Sequence, residues 1–510
     1  MNITIEKSQP WQSAYSSLES IFEQIKLFIP KWLKLLQSPS PATRTLEEQI
    51  AYVFASFADQ VFAYLLSLSS SEHSESVAVS NARIKAAQLQ QPLRSPQTRQ
   101  KTFRLLGGTK VRIETPYCAP LSSRTKEPYS GVFPQLVHLG FGPAGSPAFE
   151  SRISRLCTLC PSYEVSRQEL ERQGIALDYK TLRSITLNKG EEMLKVREGW
   201  MEQFHAGTLE AGTQLKGKHV VACIDGGRIR IRTPGQPQDD LPAGGYPPFD
   251  LNWREPKLLI IYVVDKKGRR KEKEKFTIDG TFQGPDHAME LLAMHLERLG
   301  VKKAASLTFL ADGAPWIWNR VDWLFERLEI PKEKRNEGLD FYHGVHHISL
   351  ALSYLGLEKE EQKKRFRMLR KKLRGGKWEE VVKELREAGE KIKEETYWRE
   401  IRYLEKHGKA GRLKYLSLKE KGLPRGSGAI ESAIRRVVNQ KLKGNGIFWK
   451  EDSAEAILQL RGVLLSENWE EMLDEVEDLR KKPQKKQWVW EAENRSSENE
   501  MRGQKKRVLK

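Results

Sequence analysis

Apolar and polar positions follow two different periods along the first part of the chain. Apolar residues recur every three or four positions in residues 11–36 and 46–68, which predicts two amphipathic helices. Residues 90–99 are predicted to be a linker, and two short strands are expected on either side of the turn Gly107-Gly108. Residues 119–150 are rich in proline and glycine and are predicted to be irregular.

A pair of helices around a glycine turn is predicted between residues 165 and 189. Gly174 opens the turn and Asp178 can N-cap the second helix. This is the layout of a helix-turn-helix, whose second helix enters the major groove of DNA. The residues expected to contact DNA are Lys180, Thr181 and Arg183. Short helix pairs are also common without nucleic acid, so both interpretations stay open. A separate helix is predicted over residues 190–206.

From residue 216, runs of strand length alternate with helical patterns. Apolar runs typical of buried strands cover residues 218–225, 257–265 and 305–312. Shorter strands are predicted at residues 228–232, 276–279 and 338–343, with a loop over residues 233–256. Helices are predicted at residues 286–299, 313–328, 345–355 and 453–465. Strands that alternate with helices predict an α/β fold with a mixed sheet.

These patterns divide the chain into seven regions. They are a helical N-terminal region (residues 1–95), a small β and irregular region with cysteines (96–160), a helix-turn-helix DNA-binding region (161–215), the first part of the α/β core (216–357), a basic helical insertion (358–425), the last part of the core with Glu431 (426–466), and a charged helix with a basic tail (467–510).

Charge indicates the kind of partner. The 510 residues carry 86 Lys and Arg against 67 Asp and Glu, a formal net charge of +19. This balance indicates a polyanionic partner, and nucleic acid is the usual one. Residues 358–425 hold 23 basic and 13 acidic residues. Their surplus favours a surface that faces DNA, although a solvated helical hairpin with internal ion pairs gives the same pattern.

Cysteine usage and apolar runs bear on the compartment. Four cysteines in so long a chain exclude a disulfide scaffold and favour a reducing, cytoplasmic compartment. The N-terminus lacks the order of charged and apolar residues found in signal peptides. The most apolar run, residues 50–68, contains Asp59 and Gln60 and is predicted to be a buried core helix, with no membrane partner.

The cysteines leave one metal question open. Cys157 and Cys160 form a C-x-x-C pair, which Cys118 and His138 could complete as a zinc site. The second half lacks the usual spacing, and ordinary buried cysteines explain the pattern as well.

Three acids stand where metal-dependent chemistry on phosphate would need them. Asp225 and Asp312 end apolar strands, and Glu431 lies in the first turn of a helix that a Gly-Ser-Gly turn opens. If the first and fourth strands are neighbours, as in ribonuclease H, the two aspartates converge. Clustered carboxylates repel one another unless a cation neutralises them, and oxygen ligands suit two Mg²⁺ (or Mn²⁺) ions. Taken singly, each acid could instead be a turn or helix-start residue.

The motifs around these acids resemble those of insertion-sequence DDE transposases, closest to the ISKra family. They are Asp225-Gly-Gly-Arg-Ile-Arg-Ile-Arg, Ala311-Asp-Gly-Ala-Pro-Trp-Ile-Trp, Gly426-Ser-Gly-Ala-Ile-Glu-Ser and Lys441-Leu-Lys-Gly-Asn-Gly-Ile-Phe-Trp. The resemblance covers roughly residues 160–470. It implies a ribonuclease-H-like mixed-sheet core, with Asp225, Asp312 and Glu431 as catalytic metal ligands. It also implies cleavage at element ends, strand transfer into target DNA, and a homo-oligomer assembled on DNA.

Further residues are expected to assist. Asp340-Phe-Tyr-His343 is similar to an acid-x-x-His motif of Mutator-like transposases, which implies an auxiliary role for Asp340 and His343. Candidate phosphate contacts follow Glu431 along the chain, namely Arg435, Lys441 and Lys443. Trp449 is a candidate for stacking on a displaced base. An inactive relative that only binds DNA, or a nuclease of the same fold, would carry the same motifs.

Overall fold

The structure is a computed structural model that describes residues 15–37, 43–69, 72–88, 92–121, 131–235, 249–444 and 446–481. The chain forms two compact units. The first comprises residues 1–192 with 470–510, and the second comprises residues 193–469. The predicted basic tail lies outside the described residues from position 482 onward.

Three helices and a hairpin open the first unit. The helices are α1 (Tyr15–Leu36), α2 (Thr43–Ser69) and α3 (Glu72–Gln88), and the strands are β1 (Gln97–Arg104) and β2 (Lys110–Tyr117). The antiparallel pairing of β1 with β2 confirms the predicted turn at Gly107-Gly108. Helix α3 was not predicted, because its apolar residues do not gather on one side. Residues 97–99, predicted to be linker, belong to β1.

Helix α2 is apolar without being a core helix. Three of its large side chains are exposed: Phe54, Phe62 and Leu65. The prediction of a buried core helix over residues 50–68 is therefore wrong. Asp59 is instead buried, because its carboxylate accepts hydrogen bonds from the Gly107 N–H at 2.8 Å and the Thr109 N–H at 3.0 Å. By length and composition, the stretch Thr43–Leu66 is apolar enough to cross a membrane, and 22% of it is buried.

The rest of the first unit is helical. Its elements are α4 (Pro134–His138), α5 (Pro147–Leu159), α6 (Tyr163–Arg172), the start of α7 (Tyr179–Ala206) and α18 (Trp469–Lys481). Helix α7 is continuous, so the separate helix predicted from Gly190 is wrong. Glycine inside a helix costs about 1 kcal/mol, and buried ion pairs beside Gly190 offset that cost. Lys189 lies 2.9 Å and Arg480 lies 2.6 Å from the Glu192 carboxylate.

The structure does not bring Cys118, Cys157 and Cys160 together with His138 as one group of metal ligands. Cys118 packs in one apolar cluster with Val132, and Cys157 packs in another with Phe149. No group of candidate metal ligands among the described residues includes a cysteine. Ordinary buried cysteines are the interpretation that fits.

A five-stranded mixed sheet forms the centre of the second unit. Its strands are β3 (His219–Gly226), β6 (Lys257–Val264), β7 (Thr277–Thr281), β8 (Ser306–Ala311) and β9 (Arg335–Leu339), in the order β7-β6-β3-β8-β9. Strands β3, β6 and β7 pair antiparallel, whereas β8 runs parallel to β3 and β9 runs parallel to β8. All residues of β6 and β8 are buried, as expected for strands covered on both faces. The predicted mixed α/β sheet is confirmed.

A two-stranded ribbon projects between β3 and β6 in sequence. It pairs β4 (Ile229–Pro234) with β5 (Phe249–Arg254) in antiparallel register. Strand β5 falls inside residues 233–256, which were predicted to be a loop. The prediction missed it because prolines and glycines dominate the flanking sequence, while every residue of β5 is exposed.

Helices complete the second unit. They are α8 (Pro285–Arg298), α9 (Pro315–Trp318), α10 (Val321–Arg327), α11 (Phe341–Ser353), α16 (Gly428–Ile434) and α17 (Glu451–Leu465). Residues 358–425 are helical throughout, as predicted, in α12 (Lys359–Arg374), α13 (Trp378–Ala388), α14 (Glu395–Lys409) and α15 (Tyr415–Glu420). The single helix predicted over residues 313–328 is wrong. The Arg320 guanidinium donates a hydrogen bond to the Trp316 carbonyl at 2.8 Å. In a continuous helix this carbonyl would accept from the backbone N–H of Arg320 instead.

A buried ion network ties three helices to β7. Arg197 of α7 donates to Asp279 of β7 at 3.1 Å and to Glu455 of α17 at 2.7 Å. His295 of α8 lies 2.7 Å from the other Asp279 oxygen. Burial raises the pKa of Asp279, but the positive charge of Arg197 and the hydrogen bond of His295 more than offset it, so this pKa lies below its usual value.

Candidate active site

Three aspartates form a row at the carboxyl ends of three neighbouring parallel strands. Asp225 lies near the end of β3, Asp312 follows β8 and Asp340 follows β9. The parallel register of β3 and β8 gives Asp225 and Asp312 matching positions. The Asp340 N–H donates to the Ala311 carbonyl at 2.8 Å, which keeps it level with Asp312. The carboxyl ends of parallel strands meet at one edge of a sheet. Because β3, β8 and β9 are neighbours, these three acids lie along the same edge.

The environment of Asp225 disfavours its charge. Burial, and after it the negative charge of Asp312, raise the pKa of Asp225 to about 6. One oxygen of its carboxylate accepts a hydrogen bond from the Gly226 N–H at 2.7 Å. The site therefore holds more negative charge than its donors balance, and a bound cation would relieve the repulsion.

Asp340 has a different surrounding, because four donors meet its two oxygens. One oxygen accepts from the His343 N–H at 2.8 Å and lies 3.1 Å from His343 Nδ1. The other accepts from the Ser427 N–H at 2.6 Å and from its hydroxyl at 3.0 Å. Burial alone would raise the pKa of Asp340, but these bonds lower it to about 2. A carboxylate offers about four acceptor positions, so Asp340 is saturated by protein donors.

Glu431 reaches the same site from α16, which packs against β3 and β6. Single ligand atoms of Asp340, His343 and Glu431 lie within 4.8 Å of one another, close enough to share a metal ion. The hydrogen bond to Asp340 raises the pKa of His343, and the charges of Asp312 and Glu431 add to this rise. The negative charges of acids from three strands and one helix thus interact with the imidazole of His343.

The helix that carries Glu431 changes form directly afterwards. Arg435–Asn439 is a π-helical turn that continues α16. Such wide turns are rare and occur frequently at functional sites. Its Val437 and Val438 are buried, and Val438 lies beside Gly227, at the start of the ribbon.

The Asp312 loop is braced by the helical insertion. The Asp312 carboxylate accepts from the Ala314 N–H at 3.0 Å, and its carbonyl accepts from the Trp318 indole at 2.5 Å. Tyr403, on α14 of the insertion, places its hydroxyl directly beside Gly313. A Cβ at Gly313 would come within 2.0 Å of the Tyr403 hydroxyl, so only glycine allows this contact.

The candidate DNA contacts near Glu431 have unequal access to solvent. Arg435 and Lys443 are exposed. Lys441 is 3% exposed, so its ammonium does not face a phosphate in this structure, and the predicted contact is corrected. Trp449 is half-buried, and its indole N–H donates to the Leu442 carbonyl at 3.0 Å. Trp449 therefore links two parts of the segment that follows Glu431, and its ring is not fully open to a stacking base.

The two helices predicted as a helix-turn-helix are α6 and the start of α7. Asp178 caps α7 as expected, because its carboxylate accepts from the Thr181 N–H at 2.9 Å. The Thr181 hydroxyl also donates to Asp178, at 2.6 Å, so it is already engaged. Lys180 is exposed and Arg183 is half-buried. The segment between the helices exceeds the three or four residues usual in this motif, and DNA reading by α7 stays a prediction.

Several side chains that shape the site were not found from sequence. Ser427 was seen only as part of a glycine turn, although its hydroxyl and N–H both bind Asp340. Tyr403 lies in the charged insertion, where no local pattern links it to Gly313. Trp253 did leave a signal, because Phe249, Leu251 and Trp253 alternate with polar residues as in a strand.

Fold and site together define a mixed α/β protein with an acid-lined site at one edge of its sheet. No family model matches the sequence, and no curated protein matches it. Among solved structures, the chain is similar to one titled Drosophila P element transposase strand transfer complex. The identity is 12%, the match covers 65% of this chain and 81% of that chain, and the TM-score is 0.21. The resemblance to the ISKra family has no support in these comparisons.

Proposed function

We propose that this protein is a DDE transposase of the insertion-sequence type, which cleaves DNA at element ends and transfers the freed strand into target DNA. The observation that carries the proposal is that Asp225 and Asp312 occupy matching positions at the ends of neighbouring parallel strands, while Glu431 lies with Asp340 and His343 in one group of possible metal ligands. Asp225, Asp312 and Glu431 come from β3, the loop after β8, and α16, and their charges meet at one edge of the sheet. A highly basic protein with an acidic site is suited to a polyanion that is cut at phosphorus.

The strand order supports a ribonuclease-H-like core for this chain. Three antiparallel strands are followed along the chain by two parallel ones, and the first strand lies beside the fourth. A helical insertion then precedes the helix of Glu431. This is the order that the resemblance to ISKra transposases implies, and we propose that the chain belongs to that family.

The acids fit two divalent ions, Mg²⁺ or Mn²⁺. Asp225 carries a raised pKa of about 6 from burial and repulsion by Asp312, so the site favours a bound cation. When bound, such ions activate an attacking oxygen and neutralise charge that develops at phosphorus. We assign Asp225, Asp312 and Glu431 as the metal ligands. Oxygen ligands with room for water match the preference of Mg²⁺.

The other residues of the site position these ligands. Asp340 accepts hydrogen bonds from the N–H and the hydroxyl of Ser427, so we assign it to holding Ser427 and thereby the first turn of α16. His343 lies 3.1 Å from Asp340 through Nδ1, and the surrounding acids raise its pKa. Arg435 and Lys443, exposed beyond Glu431, would meet the DNA backbone as mobile counter-charges. We further propose that α7 contacts the element ends and that the protein assembles as a homo-oligomer on DNA.

Replacing one ligand tests the assignment. Glu431→Gln is expected to abolish both cleavage and joining, since the neutral amide neither neutralises nor firmly binds a divalent ion, while binding to element ends is retained. The assay incubates purified protein with Mg²⁺ and DNA that flanks its gene, followed by sequencing of the 3′ ends. Glu420→Gln, an exposed acid on α15, serves as the control and should leave the products unchanged.

Each outcome of this assay decides something. Cleavage by Glu431→Gln at the wild-type rate would remove Glu431 from the site. Cleavage without joining by the wild-type protein would identify a structure-specific nuclease. DNA binding without cleavage by the wild-type protein would identify an inactive relative that acts as a DNA-binding module.

A further inference from the structure

The ribbon of β4 and β5 carries one face that differs from the rest of the molecule. In antiparallel pairs, residues directly opposite each other share a face. Register pairs Arg230 with Trp253, Arg232 with Leu251 and Pro234 with Phe249. This face therefore combines arginines with large apolar side chains. Asp250, the acid of β5, pairs with Thr233 and lies on the opposite face.

The apolar side chains of this face are open to solvent. Trp253 is 51% exposed, Leu251 is 46% exposed and Phe249 is 45% exposed. Ile229 and Ile231, on the opposite face of β4, are fully buried. The ribbon thus packs against its own unit through the isoleucines and presents its aromatic side outward. Exposed aromatic groups grouped in this way mark interaction sites.

Cations surround the exposed rings. The Arg228 guanidinium lies 4.8 Å from the Trp253 ring centroid, and Arg230 lies 5.9 Å from it. Arg230 also lies 4.9 Å from the ring of Phe448. Along β4, the described residues of this face include no acid. Positive charge interleaved with aromatic rings fits a nucleic-acid strand, since phosphates take the arginines and bases stack on the rings.

The ribbon begins close to the proposed catalytic acids. Arg228 follows Asp225 by three residues, which span at most roughly 11 Å of extended chain. That length corresponds to roughly three stacked nucleotides. The other edge of β4 is held by the segment that follows Glu431, since Arg232 N–H donates to the Trp449 carbonyl at 2.8 Å. The ribbon is therefore held along its β4 edge by this segment.

We propose that the face formed by Arg228, Arg230, Arg232, Phe249, Leu251 and Trp253 binds unpaired nucleotides of the DNA strand next to the bond that is cut. This inference rests on the proposed function for its place in the reaction, but binding itself needs no catalysis. Duplex DNA keeps its bases stacked and offers Trp253 nothing to stack on. In this proposal Trp253 stacks on a base, which is the role that the sequence predicted for Trp449.

The test compares single-stranded and duplex DNA in binding assays with full-length protein and no divalent metal. The probes are a fluorescein-labelled 15-mer of thymidine and a mixed-sequence duplex of the same length. Trp253→Ala should weaken binding of the single strand by about five- to a hundredfold, and change binding of the duplex less than about twofold. Trp253→Phe keeps a ring and should retain most of the affinity. Trp323→Ala removes another half-exposed indole, on α10, and should change neither.

A second measurement does not depend on variant folding. Thymidines in the probe are replaced by 5-iododeoxyuridine, and the cross-linked peptide of the wild-type protein is identified by mass spectrometry. The expected peptide contains Trp253 or Phe249. Cross-links confined to other segments, or equal loss of single-strand and duplex binding in Trp253→Ala, would overturn the proposal. Because no metal is present, these outcomes are independent of whether Glu431→Gln abolishes cleavage.

Discussion

At Asp340 four donors converge on two carboxylate oxygens, and this determines how the helix of Glu431 begins. Ser427 supplies two of these donors from the Gly-Ser-Gly turn, 87 residues further along the chain. A Cβ at Gly426 would come within 3.3 Å of Asp340, so the turn approaches the carboxylate closely. The first turn of the Glu431 helix is thus held by a carboxylate that lies within hydrogen-bond distance of four protein groups.

Removing one donor should reveal this positioning role. Ser427→Ala deletes the hydroxyl and leaves the N–H bond, so the turn keeps its place but loses rigidity. We expect the Mg²⁺-dependent cleavage rate to fall by about ten- to a hundredfold, the range typical of residues that orient metal ligands. The measurement is a cleavage time course, with melting temperature recorded in parallel.

Ser432→Ala is the matched control, because Ser432 is exposed on the same helix. It should cleave as the wild type does. Wild-type cleavage by Ser427→Ala, at an unchanged melting temperature, would mean that the link to Asp340 is not used.

At the scale of elements, the sheet is held to its helices by a buried charge network. Arg197, Asp279 and His295 are each less than 5% exposed. Removing one partner from a buried ion pair leaves the other charge uncompensated, which costs more than the pair contributes when intact. Strand β7 therefore depends on α7, α8 and α17 for its charge balance.

Asp279→Asn should destabilise the second unit by about 3–5 kcal/mol, because Arg197 keeps its buried charge without a carboxylate. Chemical denaturation measures this. The folded pKa of Asp279 is depressed, so its contribution is complete above its unfolded value, about 3.9, and declines as pH falls through the lower folded value. As the pH falls below about 3.9, the wild type should thus lose stability that the variant has already lost.

Asp286→Asn is the control, since Asp286 pairs with Arg320 at the surface of α8. It should unfold as the wild type does. If Asp279→Asn had the same free energy of unfolding as Asp286→Asn, the network would contribute nothing to stability.

At the scale of the molecule, part of the large positive charge is concentrated on one exposed helix face. Three cations follow one another on one face of α12 at helical spacing, and these are Lys364, Arg367 and Lys371. All three are exposed, and the described residues place no carboxylate within ion-pair distance of them. Half of the other cations of the insertion are paired with glutamates, for example Arg386 with Glu405 at 2.5 Å.

Neutralising the α12 face tests whether it meets DNA. The triple variant Lys364→Gln, Arg367→Gln, Lys371→Gln should bind duplex DNA more weakly. Its plot of log affinity against log salt should be shallower by about 2 to 3, since each lost phosphate contact removes about 0.9 from the slope. Fluorescence anisotropy over a salt series measures both.

A control with the same change of net charge separates location from total charge. Lys383→Gln, Arg386→Gln, Lys409→Gln neutralises cations that are paired with glutamates. An equal change of slope in the two triple variants would show that only net charge matters.

Sequence patterns predicted the buried part of this fold well. Apolar runs identified β3, β6 and β8, because strands covered on both faces have no polar interruptions. The placement of Asp225 and Asp312 followed from the ends of those runs. Patterns failed where tertiary contacts override local preference, as at Gly190, where buried ion pairs keep α7 continuous.

The candidate site could be predicted only in part, because some of its residues are defined by tertiary contacts. Acids at strand ends are local signals, so they could be named without a structure. The roles of Ser427 and Tyr403 depend on partners far away in the chain, and nothing near either residue reveals them. Lys441 looked like a surface cation beside glycines, yet the segment folds back and buries it.

The long separation between partners in the site also bears on how the protein is made. The β3–β8 pair His219 and Ser306 is 87 residues apart, and Asp340 and Ser427 are separated equally. Roughly two hundred residues lie between Asp225 and Glu431, and a ribosome needs on the order of ten to forty seconds to add them. Under the proposed function, a chain still being translated has its helix-turn-helix but no complete acid site. Newly made protein can therefore meet DNA before it is able to cut it.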